Sequence, residues 1–136
     1  PRAVSREVRV VFDTNVYVSV FVIPGGRADA ALRRIIGGTD TLIVSRAILD
    51  ELLVVLARKF ARDREELARV AVFVSALAET VETSEELAFF SDEPDNRALE
   101  CALTGLAGAI VTGDRAMLAL GEFRRVKILS PSEYLM

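Results

Sequence analysis

Apolar and polar positions alternate along the chain in blocks that predict short strands separated by helices. Residues 7–12 end in Val10-Val11-Phe12, a run typical of a strand buried on both faces. Further strands are predicted at Thr41–Ser45, TVET (80–83), GAIVTGD (108–114) and RVKIL (125–129). Pro24-Gly25-Gly26 predicts a loop. The residues between Asn15 and this loop are apolar and β-branched, so we do not expect them to open a surface helix.

Helical patterns follow most of these strands. They are predicted over residues 28–36, 46–58 and 63–78, from Pro94 to Thr104-Gly105, over 117–120 and in SPSEYLM (130–136). Ser45 is placed to cap the helix over 46–58. Because strands and helices alternate, we expect an α/β fold with a central parallel sheet covered on both sides, in one domain spanning residues 1–136.

Composition narrows the classes of protein. The chain has 136 residues, of which 51% are apolar and 27% charged, so it should fold around one core. No apolar stretch is long enough to span a bilayer, and neither end carries a convincing export signal. The single cysteine, Cys101, is predicted to be a small buried apolar residue. We expect a cytoplasmic protein that does not bind membranes.

The chain contains no histidine, which excludes imidazole acid–base catalysis and the Ser-His-Asp and Cys-His triads. It also has no Cys/His cluster for a zinc site of the usual kind. The net charge of −3 argues against a broadly basic surface that wraps nucleic acid, although separate basic patches remain compatible with it. Any catalysis must therefore use carboxylates, hydroxyls, lysine, arginine or a bound ion.

Two aspartates directly follow predicted strands. Asp13 comes after Val10-Val11-Phe12, and Asp114 comes after Ile110-Val111-Thr112-Gly113. If both strands are parallel, the two carboxylates lie at the same edge of the sheet, where α/β proteins bind ligands. Asp114 has an alternative role as the cap of the helix after it. Asp13 is harder to explain as a cap because the sequence after it stays apolar.

Further acids fall at helical positions. Asp92, Glu93 and Asp95 gather at the entrance to the helix at Pro94, which is more negative charge than a cap requires. Glu51 borders the apolar stripe of the helix over 46–58, whereas Asp50 points away from that stripe. Converging carboxylates repel one another unless a cation holds them, and Mg²⁺ and Mn²⁺ prefer oxygen ligands. These residues fit a metal-dependent phosphodiesterase, which needs no histidine.

The ordered set of short motifs resembles the PIN-domain family of metal-dependent ribonucleases. It comprises FDTN, IPGG, IVSRAILDELLVVLARKF, DEPDNRALECAL and GAIVTGD, and it covers nearly the whole chain. The PGG loop and VLARKF are similar to a subgroup described as VapC-like toxin components of toxin–antitoxin pairs. The resemblance implies a three-layer α/β/α sandwich with an acidic pocket for Mg²⁺ or Mn²⁺.

The resemblance also implies roles for individual residues. The catalytic, metal-binding acids would be Asp13, Glu51, Asp95 and Asp114, and the supporting residues would be Asn15, Thr112 and Asp92. Family members often have Asp-Pro-Asp-Asp-Asn where this chain has Asp92-Glu93-Pro94-Asp95-Asn96. The proline has moved by one position, and this departure bears on the accessory role of Asp92 more than on the role of Asp95. Arg27, after the glycines, is the first candidate for contacting substrate phosphates, followed by Arg58 and Lys59.

The family further implies an RNA substrate, a homodimer and a cognate antitoxin. Two other classes of function stay open from the sequence. The chain could be a catalytically silent PIN-like module that binds nucleic acid or protein. It could also be a small phosphotransferase or phosphatase with Asp13 as nucleophile, but such enzymes usually carry a second aspartate where this chain has Asn15.

Overall fold

The computed structural model describes residues 8–84 and 86–136, and a six-stranded sheet forms its centre. The strands are β1 (Arg9–Phe12), β2 (Thr41–Ser45), β3 (Glu79–Val81), β4 (Ala109–Val111), β5 (Glu122–Phe123) and β6 (Val126–Leu129). The helices are α1 (Thr14–Val22), α2 (Arg27–Ile36), α3 (Arg46–Phe60), α4 (Arg64–Leu77), α5 (Glu93–Thr104), α6 (Arg115–Leu120) and α7 (Pro131–Leu135). The predicted three-layer α/β fold is confirmed. Residue 7 of the first predicted strand lies outside the described residues.

The strand order is β3-β2-β1-β4-β6-β5, and every pair is parallel except the last. The predicted central parallel sheet is confirmed from β3 to β6, and β5, which was not predicted, adds one antiparallel strand at the edge. Only Arg124-Arg125 connect these two strands, and a two-residue link allows only antiparallel pairing. Both arginines have positive φ, 48° and 72°, as the tight turn of such a hairpin requires.

The apolar core is centred on β1 and its two neighbours. Val10, Val11 and Phe12 are all fully buried, as their consecutive apolar pattern predicted. Cys101 is buried on α5, also as predicted. Within the described part of the chain, no helix is both long and apolar enough to cross a bilayer.

Most predicted helices are present with boundaries shifted by a few residues. Ser45 caps α3, because its Oγ accepts a hydrogen bond from the Ile48 amide at 3.2 Å. Asp63, predicted as the first residue of α4, is instead its N-cap and forms a reciprocal capping box with Glu66.

Helix α1 was not predicted. Its sequence, TNVYVSVFV, is rich in β-branched residues, which have lower helix propensity. Val16 and Tyr17 are nevertheless buried, and the Tyr17 ring lies 5.8 Å from that of Phe12. Burial of this helix against the sheet and α3 outweighs its weak propensity, since tertiary packing supplies most helix stability in proteins.

The C-terminal helix α7 is held by a buried carboxylate far from the strand ends described below. Asp40 accepts a hydrogen bond from the Tyr134 hydroxyl and forms an ion pair with Arg34, at 3.2 Å. Its other oxygen accepts the Val8 amide at 3.0 Å. Asp40 is 5% exposed, and its partners satisfy both oxygens.

Replacing Gly105 by alanine should destabilise the fold. An added Cβ would lie 2.5 Å from Ile43 Cγ2 and 3.1 Å from the Cys101 carbonyl oxygen, so the buried β2 side chain or α5 must shift. We expect a loss of about 1–3 kcal/mol in the free energy of unfolding, the usual cost of overpacking. Urea denaturation measures it.

Gly37→Ala is the matched control, because its added Cβ would meet only ordinary contacts of 3.4 and 3.5 Å. Equal stability of the two variants would contradict the close approach of Gly105 to β2.

Candidate metal centre

Asp13 and Asp114 follow the two adjacent strands β1 and β4 at their carboxyl ends. Within the sheet, β2 lies on one side of β1 and β4 lies on its other side. A crevice therefore opens between β1 and β4, at the point where the strand order reverses. The Asp13 amide donates to the Val111 carbonyl at 2.9 Å, which continues the β1–β4 pairing up to the acids.

The Asp13 side chain lies at the centre of a hydrogen-bond network. It accepts from the Thr14 amide at 2.8 Å, from Thr112 Oγ1 at 2.8 Å and from Asn15 Nδ2 at 3.1 Å. Thr112 Oγ1 also accepts from the Asp114 amide at 3.0 Å, while Asn15 Oδ1 accepts from the Gly113 amide at 2.9 Å. These bonds hold the loop after β4 against the start of α1.

Asp13 is also the N-cap residue of α1. The sequence made a capping role hard to explain, because the apolar residues after Asp13 were not expected to form a helix, yet they form α1. Capping uses only the bond from Thr14. The bonds from Thr112 and Asn15 link Asp13 to the neighbouring strand, which a cap alone does not require.

Three carboxylates form a tight group beside this network, and we call it the acidic triad: Asp92, Asp95 and Asp114. One oxygen from each lies within 4.8 Å of the others. Asp92 is exposed, Asp95 is buried and Asp114 is half-buried. Asp92 occupies the N-cap position of α5 but makes no capping hydrogen bond with its side chain. Asp114 occupies the N-cap position of α6 and also makes the capping bond, since its Oδ2 accepts a hydrogen bond from the Met117 amide at 3.0 Å.

The predicted acids all line one pocket of about 320 Å³. Asp13, Glu51, Asp95 and Asp114 are among its walls, and so is Asp92. The triad contains Asp92, which the sequence placed in an accessory role, and it does not contain Asp13 or Glu51. Glu51 faces the pocket from the border of α3, where it is half-buried, while Asp50 is exposed. Metal binding by Asp13 and Glu51 stays a prediction.

The pocket lining also includes apolar and basic side chains. Among them are Val18 of α1 and Val55, Lys59 and Phe60 of α3. Lys59, one of the later candidates for phosphate contact, lies there without an ion pair to any residue in 8–84 or 86–136. Arg27 does not line this pocket, and its guanidinium donates to Ser132 Oγ at 2.8 Å. The sequence did not indicate Phe60, because an aromatic residue at a helix end usually packs on the core.

Burial and like charge raise two pKa values in the pocket. Burial raises the pKa of Asp13 to about 6, against the opposing effect of its hydrogen bonds from Thr112 and the Thr14 amide. Burial likewise raises the pKa of Asp95 to about 7, and the charges of Asp13, Asp114 and Asp92 add to this effect. The negative charge at this site is therefore not compensated from within the protein.

The donor set fits a hard divalent cation. It consists of carboxylate oxygens from two separate segments, and no arginine or lysine of the described chain forms an ion pair with the triad. Oxygen ligands of this kind suit Mg²⁺ and Mn²⁺. A cation here would relieve the repulsion that raises the pKa of Asp95.

Comparison with known families agrees with this geometry. The family model described as PIN domain matches residues 9–116, which contain β1, β4 and all the acids that line the pocket. The chain belongs to the PIN-domain family. PIN domains are generally nucleases, and they typically use divalent metals.

Two individual proteins are similar to this PIN domain. The uncharacterized protein MJ1680 of Methanocaldococcus jannaschii is 23% identical over 141 residues, covering 95% of this chain and 90% of that protein. A chain in the crystal structure of VapBC2 from Rickettsia felis, bound to a DNA fragment from their promoter, matches with a TM-score of 0.65. That match covers 90% of this chain and 98% of the other at 13% identity, so it establishes a shared fold.

The metal-free protein should lose stability as the pH rises. The pKa values of Asp13 and Asp95 in the folded state, about 6 and about 7, exceed the roughly 3.9 of an unfolded aspartate. The folded chain therefore binds these protons more tightly, and the resulting stabilisation is complete below about pH 4 and lost by about pH 8. Asp95→Asn should reduce the fall in Tm between pH 5 and pH 8, measured by thermal denaturation in chelator.

Asp50→Asn removes one negative charge from an exposed position on α3. This control variant should show the same pH dependence of Tm as wild type. If Asp95→Asn shows the full wild-type fall in Tm, Asp95 does not experience the repulsion inferred here.

Proposed function

We propose that this PIN domain is an endoribonuclease that depends on Mg²⁺ or Mn²⁺ and hydrolyses RNA phosphodiester bonds. The observation that carries the proposal is the acidic triad at the reversal point of a PIN-type sheet, with which no basic side chain of residues 8–84 and 86–136 forms an ion pair. Carboxylates gathered without a basic partner are costly to the apo fold, and cation binding is the function that such an arrangement serves. The proposal treats residues 1–136 as one nuclease domain.

Asp92, Asp95 and Asp114 would hold the cation, with Asp13 and Glu51 facing it from the other pocket walls. A divalent cation at such a site supplies Lewis acidity, which lowers the pKa of water and neutralises charge on a scissile phosphate. Thr112 and Asn15 keep Asp13 oriented through their hydrogen bonds to its Oδ2. Asp13 in turn holds the β1 and β4 ends together, so the spacing of the acids is set before substrate arrives.

The substrate would lie in this pocket, which the triad, Lys59 and Phe60 all line. At about 320 Å³ the pocket is at the small end of the usual range for ligand sites, roughly 300–1,000 Å³, which suits one nucleotide of a longer strand. Lys59 can contact a flanking phosphate, and the exposed ring face of Phe60 can stack on a base. Arg27 lies outside this path and is bonded to Ser132, so we do not retain it as a substrate contact.

The proposal includes a role as the toxin of a toxin–antitoxin pair. Its support is the shared fold with a chain of VapBC2 and the toxin-like motifs in the sequence. An antitoxin or a second copy of the chain needs an apolar surface, and α4 offers one. Val72 and Phe73 on this helix are 69% and 38% exposed.

Asp13→Asn should abolish metal-dependent cleavage of RNA. The substitution removes the charge. Because an amide accepts through its oxygen only, the asparagine keeps either the bond from the Thr14 amide or the bonds from Thr112 and Asn15, but not both. We expect a loss of at least about 100-fold, the upper end of what supporting residues cost at metal sites. The measurement is cleavage of a labelled mixed-sequence RNA in Mn²⁺ and in chelator, with Asp50→Asn as the charge-matched control.

The proposal is supported if wild type and Asp50→Asn cleave the RNA with metal but not in chelator, and Asp13→Asn does not cleave it. Equal cleavage by all three proteins in chelator would identify a contaminant. Absence of cleavage by wild type on both single-stranded and structured RNA would favour a catalytically silent binding module.

Mn²⁺ should raise the Tm of wild type, because a ligand that binds only the folded state stabilises it by mass action. The expected gain is about 2.7 kcal/mol when the free metal is 100 times its Kd. Asp95→Asn should lose this gain, and Asp50→Asn should keep it. Differential scanning fluorimetry across a metal titration measures the shift; an equal gain in all three proteins would mean that the cation binds elsewhere.

A further inference from the structure

We propose that Asn96 is a positioning residue for the acidic triad, because its amide fixes the segment that delivers Asp92. The inference rests on the proposed metal site and extends it to a residue outside the pocket lining. The segment concerned, residues 86–92, leads into α5 without helix or strand structure. Its backbone polar groups must therefore find partners outside a regular ladder.

The Asn96 side chain supplies hydrogen-bond partners for both backbone groups of Phe90, a residue of this segment. Its Oδ1 accepts a hydrogen bond from the Phe90 amide at 2.7 Å, and its Nδ2 donates to the Phe90 carbonyl at 2.7 Å. The side chain is 3% exposed, so water competes little for either bond. A single amide thus pairs with the backbone of Phe90 as a neighbouring strand would.

The next turn of α5 does the same for Leu87. Glu100 Oε2 accepts the Leu87 amide at 2.6 Å, and Arg97 Nη2 donates to the Leu87 carbonyl at 2.9 Å. Arg97 and Glu100 are themselves paired at 2.7 Å. Side chains on one helix therefore satisfy both backbone groups of two residues that are three positions apart.

Asp92 depends on this attachment because nothing else described holds its carboxylate. Its side chain makes no capping bond, it is exposed, and one of its oxygens lies within 4.8 Å of those of Asp95 and Asp114. Mutual repulsion favours its moving outward into water. Asn96 anchors the backbone only two residues before Asp92, and so keeps that oxygen within 4.8 Å of the other two acids.

A purely structural role for Asn96 is the alternative, and the two roles differ in one measurable respect. If Asn96 acts through Asp92, replacing Asn96 lowers the Mn²⁺ affinity only when the Asp92 carboxylate is present as a ligand. The effects of Asn96→Ala and Asp92→Asn on Mn²⁺ affinity should then not add, as expected for residues that act as a unit. If Asn96 only stabilises the fold, the two effects are independent.

The experiment is Mn²⁺ titration by calorimetry on four proteins: wild type, Asn96→Ala, Asp92→Asn and the double variant. We expect Asn96→Ala to raise the Mn²⁺ Kd by about 10- to 100-fold, as loss of supporting residues does at metal sites. The double variant should bind no more weakly than Asp92→Asn. Tyr134→Phe is the control, because it removes a buried hydrogen bond to Asp40, which directly precedes β2 at the amino end of that strand; its Kd should equal that of wild type.

Amide hydrogen exchange in chelator tests the attachment without any metal. The Phe90 amide should exchange at least tenfold faster in Asn96→Ala, whereas exchange at Ile43 in the core should not change by that factor. If the alanine variant does not fold, Asn96→Ser serves the same comparison, since its hydroxyl is too short to bridge to Phe90 and can bond within its own helix.

The outcomes separate this inference from the proposed function. Wild type that binds no Mn²⁺ overturns the metal site and, with it, the role of Asn96. Wild type that binds Mn²⁺ with the same Kd as Asn96→Ala overturns the role of Asn96 alone. Strictly additive losses in the double variant, or an unchanged exchange rate at Phe90, likewise overturn it.

Discussion

The repulsion among carboxylates at the carboxyl ends of β1 and β4 is the interaction on which the rest of this structure depends. Asp95 is buried among the charges of three other aspartates, which together with burial raise its pKa to about 7. Such a group is unfavourable in the free energy of the metal-free fold. The surrounding contacts are arranged so that the acids stay together despite that cost.

Two sets of hydrogen bonds oppose the repulsion. On the sheet side, Asp13 accepts bonds from Thr112, Asn15 and a backbone amide, which lock the ends of the two central strands. On the helix side, Asn96 fixes the backbone that precedes Asp92. The first set can form because β1 and β4 are neighbours in the sheet, and the second is made by a side chain of α5. The first set holds the Asp13 carboxylate directly, and the second holds the backbone that leads to Asp92. Together they keep the acids in place before any cation binds.

Much of the fold and several site residues could be predicted from local pattern. Val10-Val11-Phe12 indicated a doubly buried strand, and Asp13 and Asp114 directly after strands indicated one edge of a parallel sheet. Prediction failed for α1, because propensity alone disfavours a β-branched helix and burial against the sheet decided otherwise. It also missed the β5–β6 hairpin, whose turn is built from two arginines at positive φ rather than the usual glycine or asparagine.

The sequence by itself determined the fold class, the identities of the acids and the absence of histidine chemistry, because periodicity and composition depend only on the order of residues. Tertiary structure alone decided which carboxylates meet. Asp92 joins Asp95 and Asp114, whereas Asp13 and Glu51 line the pocket around them and Arg27 lies outside its walls. The physical reason is that side-chain direction at a strand end or helix start follows from hydrogen bonds to residues distant in the chain. Asp13 with Thr112, 99 positions apart, is the clearest case.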